Sequence, residues 1–196
     1  FAAGPQPQRS LYFVAFTADE KGLLGASYFA AHPPLALETL AAVINIEMFS
    51  PHGATADIAS WGRGRVSLED SLSQVAQARG RRYTPDPDLE AGFYYRADHF
   101  AFARHGVPAI TIGAGLDVLD GGPAVGRARR QAYFAACYHQ PCDAWSPDWD
   151  PAGLAADTQL VYDLGHRLAN TRQWPQWEAG AEFAAQREAS SQLRQP

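Results

Sequence analysis

Short apolar stretches alternate with segments of helical periodicity along this chain, and that alternation restricts the possible folds more than any other feature. Strands that are apolar on both faces have to be covered by other elements, and the intervening helices can supply that cover. The pattern predicts strands at 11–18, 40–49, 56–61 and 107–115, and helices at 23–31, 66–79, 97–106 and 151–171. We therefore expect an α/β sheet with helices on both faces.

The segments between these elements are rich in glycine, proline and aspartate, which favour loops. We expect 81–92 to be an exposed loop and the glycine-rich stretch 113–126 to have no regular structure. The polar residues after Trp174 are expected to be loosely docked. This divides the chain into one domain, 1–173, and a polar tail, 174–196.

The charge balance argues against nucleic-acid binding. The 196 residues include 16 basic and 21 acidic side chains, a formal net charge of −5, and the basic residues occur only in short groups. A protein that follows a phosphate backbone needs a dense stripe of Lys and Arg. No apolar run approaches the roughly 20 residues that a membrane-spanning helix needs. We expect neither a nucleic-acid partner nor a membrane span.

Acidic side chains and one imidazole occur where predicted strands end. Asp19 and Glu20 follow the first strand, Glu47 lies in the second, and His139 lies in the loop before the last helix. A bare carboxylate in an apolar strand is costly unless it is paired or binds a cation. Glu20, Glu47 and His139 would form an oxygen and nitrogen ligand set suited to Zn²⁺, with Asp19 free to accept a proton.

Four motifs, in this order, resemble those of the co-catalytic dizinc aminopeptidases of metallopeptidase family 28. That family has Glu-Glu-x-Gly-Leu-Leu-Gly-Ser after a strand, then Asn-x-Asp-Met, Arg-Ser-Asp-His and Tyr-His. This chain has DEKGLLGAS at 19–27, NIEM at 45–48, RADH at 96–99 and YH at 138–139. The resemblance implies the zinc exopeptidase fold, a three-layer α/β/α sandwich with a mostly parallel mixed sheet, whose N-terminal portion is absent from this chain.

The resemblance also implies roles for the matched residues. Glu20 and His139 would bind one zinc ion, and Glu47 would help to bind a second. Asp19 would be the general base, and Tyr138 would donate a hydrogen bond to the oxyanion of the tetrahedral intermediate.

The third and fourth motifs contain further candidates. Arg96 and Asp98 match positions that line or brace the substrate pocket, and the neighbouring His99 could brace a loop or touch substrate. Cys137 and Cys142 flank the Tyr-His pair, and their spacing alone is compatible with a small disulfide loop or with two free thiols. Because the resemblance implies an exported protein, we predict that they form a disulfide in exported material.

Two matched positions depart from the family pattern. Asp19 stands where the family usually has Glu, and Glu47 stands where it usually has Asp. Each swap changes the side chain by one methylene, about 1.5 Å. A misplacement of ~1 Å can cost about 100-fold in rate when a catalytic group is involved. We therefore expect these two swaps to lower the peptidase activity.

The family also needs a His-x-Asp and a Gly-Ala-x-Asp segment, and neither occurs in these 196 residues. We expect a missing N-terminal segment of the same protein to supply a His and a bridging Asp, so that two zinc ions bind per site. The isolated chain would not form a stable dizinc centre.

The expected function is therefore that of a zinc metallo-aminopeptidase, periplasmic or secreted, which hydrolyses N-terminal residues from peptides. One alternative is a catalytically weak or inactive peptidase-like binding domain, as in some receptor ectodomains that resemble this family. Another is a glutaminyl-cyclase-like transferase on the same scaffold, which would bind one zinc ion.

Overall fold

A computed structural model describes residues 1–48, 51 and 53–194. Its centre is a mixed sheet of four strands in the spatial order β1-β4-β2-β3. The β1–β4 and β2–β3 pairs are parallel, whereas β2 and β4 are antiparallel. The mostly parallel mixed sheet predicted from the sequence is thus confirmed. The strands are β1 (Val43–Ile46), β2 (Asp57–Trp61), β3 (Arg82–Thr84) and β4 (Ala109–Ala114).

Helices cover both faces of this sheet, as predicted. They are α1 (Leu24–Ala31), α2 (Leu68–Ala78), α3 (His99–Ala103), α4 (Gly122–Ala136), α5 (Ala152–Ala169) and α6 (Ala184–Ala189). Helix α2 packs against α5, and α1 packs against α3. Among the described residues, no helix has both the length and the apolar character that crossing a membrane requires.

Two hydrophobic clusters hold the layers together. The larger one joins the sheet to α2 and α5 through fully buried leucines, including Leu72 and Leu164. The smaller one joins α1 to α3, with Ala26 and Ala30 packed near Phe102. All residues of β2 and β4 are buried, which fits the near-continuous apolar sequence of a strand that is covered on both faces.

The segment 11–18, predicted as a buried strand, is not one. It has no strand structure, and Phe13 is 80% exposed. An apolar run becomes a strand only where neighbouring backbone pairs with it. Within the described residues, β1 is an edge strand of the sheet and no strand pairs with 11–18.

Two elements were missed in the predicted loops. The short strand β3 lies inside 81–92, where it pairs with β2. Helix α4 begins inside 113–126. It was not predicted because it opens with Gly-Pro and buries only Gly126, so its sequence has no apolar periodicity. That glycine has a steric cause, since a Cβ there would lie 1.9 Å from the carbonyl oxygen of Leu116.

The prediction of a loosely docked tail is also wrong. Trp177 and Phe183 are buried in the larger hydrophobic cluster. The indole Nε1 of Trp177 donates to the carbonyl of Gly106 at 2.7 Å. The guanidinium of buried Arg187 donates to the carbonyls of Glu38 and Leu40. A few large side chains anchor the tail even though most of its residues are polar. The domain boundary at residue 173 itself stays a prediction.

We expect Gly126→Ala to destabilise the fold by about 1–3 kcal/mol, because the new methyl group overpacks against rigid backbone. Gly165→Ala is the matched control: Gly165 is also helical, but a Cβ there would meet only the ring of Phe1 at 3.4 Å. The control should be neutral or stabilising by up to about 1 kcal/mol. Urea unfolding of both variants measures the difference, and equal stabilities would contradict the close contact at Gly126.

Candidate active site

Four chain segments meet at the carboxyl end of β1. They are the 3-10 turn Asp19–Lys21, the residues that end β1, the residue that precedes α3, and the last turns of α4 with the loop after it. Ligand sites in α/β sheets collect at such strand ends. The segments enclose a cleft of about 320 Å³, which is lined by Asp19, Glu20, Asn45, Ile46, Glu47, Met48, Asp98, Tyr133, Tyr138, His139 and Asp143.

Glu20 and His139 are in direct contact across this cleft. The Nε2 atom of His139 lies 3.1 Å from Oε1 of Glu20, and both side chains are about half exposed. The imidazole also stacks on the ring of Tyr138, with 3.8 Å between the ring centroids. The imidazole and the carboxylate, which are 119 positions apart in the sequence, therefore reach the same point in space.

Asp19 and Asp98 both line the cleft and lie close enough to interact electrostatically. Burial, together with the charge of Asp19, raises the pKa of Asp98 to about 6. Burial and the charge of Glu20 also raise the pKa of Asp19. The family resemblance matched Asp98 to a position that lines or braces the substrate pocket, and Asp98 lines the cleft.

Glu47 directly follows β1 and is half-buried. Burial and the nearby charge of Asp19 raise its pKa to about 7, although a hydrogen bond from Asn45 opposes the shift. The Nδ2 atom of Asn45 donates to Oε2 of Glu47 at 3.1 Å. The acidic side chains of the cleft thus repel one another and favour either protons or a cation.

Backbone strain is concentrated around these side chains. Among the described residues, positive φ angles at residues other than glycine occur at Ala18 (57°), Leu23 (58°), Met48 (50°) and His139 (59°). Ala18 precedes Asp19, Met48 follows Glu47, and His139 is itself a candidate ligand. Each such residue costs about 1 kcal/mol or more, and strained positions of this kind cluster at functional sites.

The rim of the cleft is built from aromatic and charged groups. The hydroxyl of Tyr138 lies 3.4 Å from Nη2 of Arg96. Burial raises the pKa of Tyr138 despite this guanidinium, so the phenol keeps its proton at neutral pH. The hydroxyl of Tyr133 donates to Oδ2 of Asp143 at 2.7 Å. Tyr133 and Asp143 were not predicted from the sequence, although Asp143 lies in the same segment as His139.

Cys137 and Cys142 form a disulfide bond, with 5.3 Å between their Cα atoms. The bond closes the loop that carries Tyr138 and His139. It therefore restricts the backbone of the residue that contacts Glu20.

The structure brings six predicted residues into one cleft: Asp19, Glu20, Glu47, Asp98, Tyr138 and His139. Arg96 reaches the cleft only through Tyr138. Within the part of the chain that is described, no three His, Cys, Asp or Glu side chains are grouped as metal ligands. The individual roles of these residues therefore stay predictions.

We expect the metal-free chain to lose stability as the pH rises from about 4 to about 7. The folded-state pKa values of Glu47 and Asp98 lie above the ordinary values of 4.5 and 3.8, so the folded state retains protons that the unfolded chain has released. This stabilisation is complete below the ordinary values and is lost as the pH passes about 6 and then about 7.

Glu47→Gln should remove part of this dependence and stabilise the protein at pH ~8 by about 1–2 kcal/mol, a value reduced for solvent screening. Urea unfolding in the presence of a chelator, over a series of pH values, measures this effect. Glu90→Gln is the control, because Glu90 is exposed and does not line the cleft. If the stability of Glu47→Gln depends on pH in the same way as that of the wild type, the charge of Glu47 does not cause the loss of stability.

Titration of the folded, unreduced protein with a thiol reagent should find no free thiol, and reduction should release both Cys137 and Cys142. Two reactive thiols per chain before reduction would contradict the disulfide.

Two comparisons with known proteins found a similarity, whereas no curated protein matches the chain. The solved structure of an aminopeptidase from Aneurinibacillus sp. strain AM-1 is similar, with a TM-score of 0.53 and 20% sequence identity. The match covers 79% of this chain and 32% of that one, so this chain spans about a third of that aminopeptidase. The model of peptidase family M28 matches residues 1–163. Since that match covers most of the sequence, the chain belongs to peptidase family M28.

Proposed function

We propose that this chain contributes the base, the oxyanion donor and part of the metal site of a zinc metallo-aminopeptidase. The observation that carries the proposal is the convergence of Asp19, Glu20, Glu47 and His139 in one cleft. Membership of peptidase family M28 and the fold shared with a bacterial aminopeptidase support it. The substrate class would be peptides with a free N-terminus.

The cleft has the chemical character of a zinc site. Glu20 and His139 are in direct contact, and Glu47 has a raised pKa because it is half-buried and lies near other acidic groups, Asp19 above all. The Oδ1 atoms of Asp19 and Asp98 are buried and accept no hydrogen bond from any donor in the described residues. A divalent cation would relieve this concentration of negative charge.

Glu20 and His139 would hold one zinc ion, and Glu47 would hold the second. We propose that a His and a bridging Asp from a segment outside this chain provide the other ligands. This agrees with the lack of a grouped set of three ligands in the described residues. Export to the periplasm or the cell exterior is part of the proposal, and the Cys137–Cys142 disulfide supports it.

Zinc, when bound, supplies a Lewis acid that lowers the pKa of water and polarises the scissile carbonyl. The protein groups do the rest. Asp19 accepts the proton of the attacking water, and burial together with the charge of Glu20 raises its pKa, which favours proton uptake. Tyr138, held protonated and next to Arg96, donates a hydrogen bond to the developing oxyanion.

A non-catalytic binding domain is the second candidate, and one observation favours it. Asp19 is one methylene shorter than the Glu that the family usually has at the base position, so its carboxylate extends about one bond length less far from the backbone. A shift of this size lowers turnover while the metal ligands persist.

Hydrolysis of an aminoacyl chromogenic substrate tests the proposal, with the longest form of the protein that contains this chain. We expect Asp19→Asn to retain zinc but to lower kcat about 100- to 10,000-fold, because it removes the base. Unchanged turnover would contradict that role. Zinc binding without any hydrolysis by the wild type would favour the binding domain.

His139→Ala should lower both zinc content and activity, because it removes a metal ligand. His166→Ala is the matched control, since His166 lies exposed on α5 away from the cleft. Elemental analysis measures the zinc content. Equal zinc content in the two variants would remove His139 from the ligand set.

A further inference from the structure

A chain of hydrogen bonds leads from the cleft into the core of the protein. Asn45 on β1 and Thr111 on β4 are directly paired in the parallel register. The Nδ2 atom of Asn45 lies 3.1 Å from Oε2 of Glu47 and 3.1 Å from Oγ1 of Thr111. Oγ1 of Thr111 in turn lies 2.6 Å from Nδ1 of His99. Four side chains on three elements are therefore connected.

The direction of each hydrogen bond in this chain can be worked out. An ionised Glu47 can only accept, so the amide of Asn45 must turn its NH₂ group toward the carboxylate. The second N–H of that group then donates to Thr111. Thr111 accepts there, so its own O–H donates to Nδ1 of His99. Nδ1 must therefore carry a lone pair, and the proton of a neutral imidazole must be on Nε2.

The surroundings of His99 fit this tautomer. His99 is fully buried, and burial lowers its pKa to about 3, with a smaller contribution from the charge of Arg65. The imidazole is therefore neutral. The imidazole and the ring of Tyr94 are nearly perpendicular, with a centroid distance of 4.7 Å and an interplanar angle of 79°. The Nε2 atom of His99 is buried and has no hydrogen-bond partner among the described residues, so Thr111 is the group that decides which ring nitrogen carries the proton.

We propose that His99 and Thr111 are positioning residues that hold the amide of Asn45 in the orientation that fixes the Glu47 carboxylate in the cleft. A neutral imidazole with the opposite tautomer would present a donor to Thr111. The hydroxyl would then lose its acceptor, and the preference of Asn45 for one orientation would weaken. The inference rests on the proposed function only through the role of Glu47 as a metal ligand.

The first test needs no variant and no metal. In ¹⁵N-labelled, metal-free protein at pH ~8, the ring nitrogens of His99 should show a protonated Nε2 and an unprotonated Nδ1. A proton on Nδ1 would overturn the proposed relay, which is the chain of hydrogen bonds from Glu47 through Asn45 and Thr111 to His99.

The second test compares Thr111→Val with Thr111→Ser. Valine keeps the shape of threonine but has no hydroxyl, whereas serine keeps the hydroxyl. We expect hydrogen exchange of the Asn45 side-chain amide to become about tenfold faster in Thr111→Val and to stay near the wild-type rate in Thr111→Ser. Equal rates in the two folded variants would overturn the proposal. If Thr111→Val fails to fold, the tautomer of His99 measured in the wild-type protein decides whether the proposal holds.

Zinc binding separates this proposal from the proposed function. Where the wild-type protein binds zinc, Thr111→Val should weaken the affinity at least tenfold and Thr111→Ser should not, as for other groups that orient metal ligands. Unchanged affinity in Thr111→Val overturns the role in positioning Glu47. If the wild type binds no zinc at all, the proposed function fails, and the amide exchange rates alone decide whether the relay exists.

Discussion

The parallel pairing of β1 with β4 is the constraint on which the candidate site depends. It aligns Asn45 with Thr111, and it ends β1 so that Glu47 enters the cleft at the carboxyl edge of the sheet. Because β4 is buried along its whole length, its side chains have fixed surroundings. Polar groups on β1 therefore take their orientation from the core and not from solvent.

The same pairing concentrates negative charge. Asp19, Asp98 and Glu47 line one cleft, and burial together with the charges of the two aspartates raises the pKa of Glu47. A stable arrangement of this kind needs protons or a metal ion. The zinc ions of the proposed function would neutralise this charge.

The sequence predicted the layers of the fold and most of the cleft, because both depend on local signals. Apolar runs identified β1, β2 and β4, and ordered motifs identified Asp19, Glu20, Glu47 and His139. The failures have non-local causes. Segment 11–18 has strand composition but no partner strand in the described residues. Helix α4 has no apolar stripe, and its close contact with the backbone of Leu116 is made at Gly126.

The proximity of Asp98 to Asp19 could not be predicted from the sequence. The same is true of the hydrogen bonds that connect Asn45 and His99 through Thr111. Asp19 and Asp98 are 79 positions apart, and Asn45 and Thr111 are 66 positions apart. No single-segment pattern shows which polar groups will meet across a sheet. His99 shows this most clearly, since its neighbours in the chain did not distinguish a residue that braces a loop from one that touches substrate.

The anchored tail has a consequence for the smallest part of this protein that can be expected to fold. The region matched by the family model stops at residue 163, which is inside α5. A protein truncated there would lose Trp177 and Phe183 from the larger cluster and would leave the carbonyls that Arg187 caps without their donor. Newly uncovered apolar surface of this kind promotes aggregation. The part of the chain that has to be kept for stable folding is therefore longer than residues 1–163, which the family model matches.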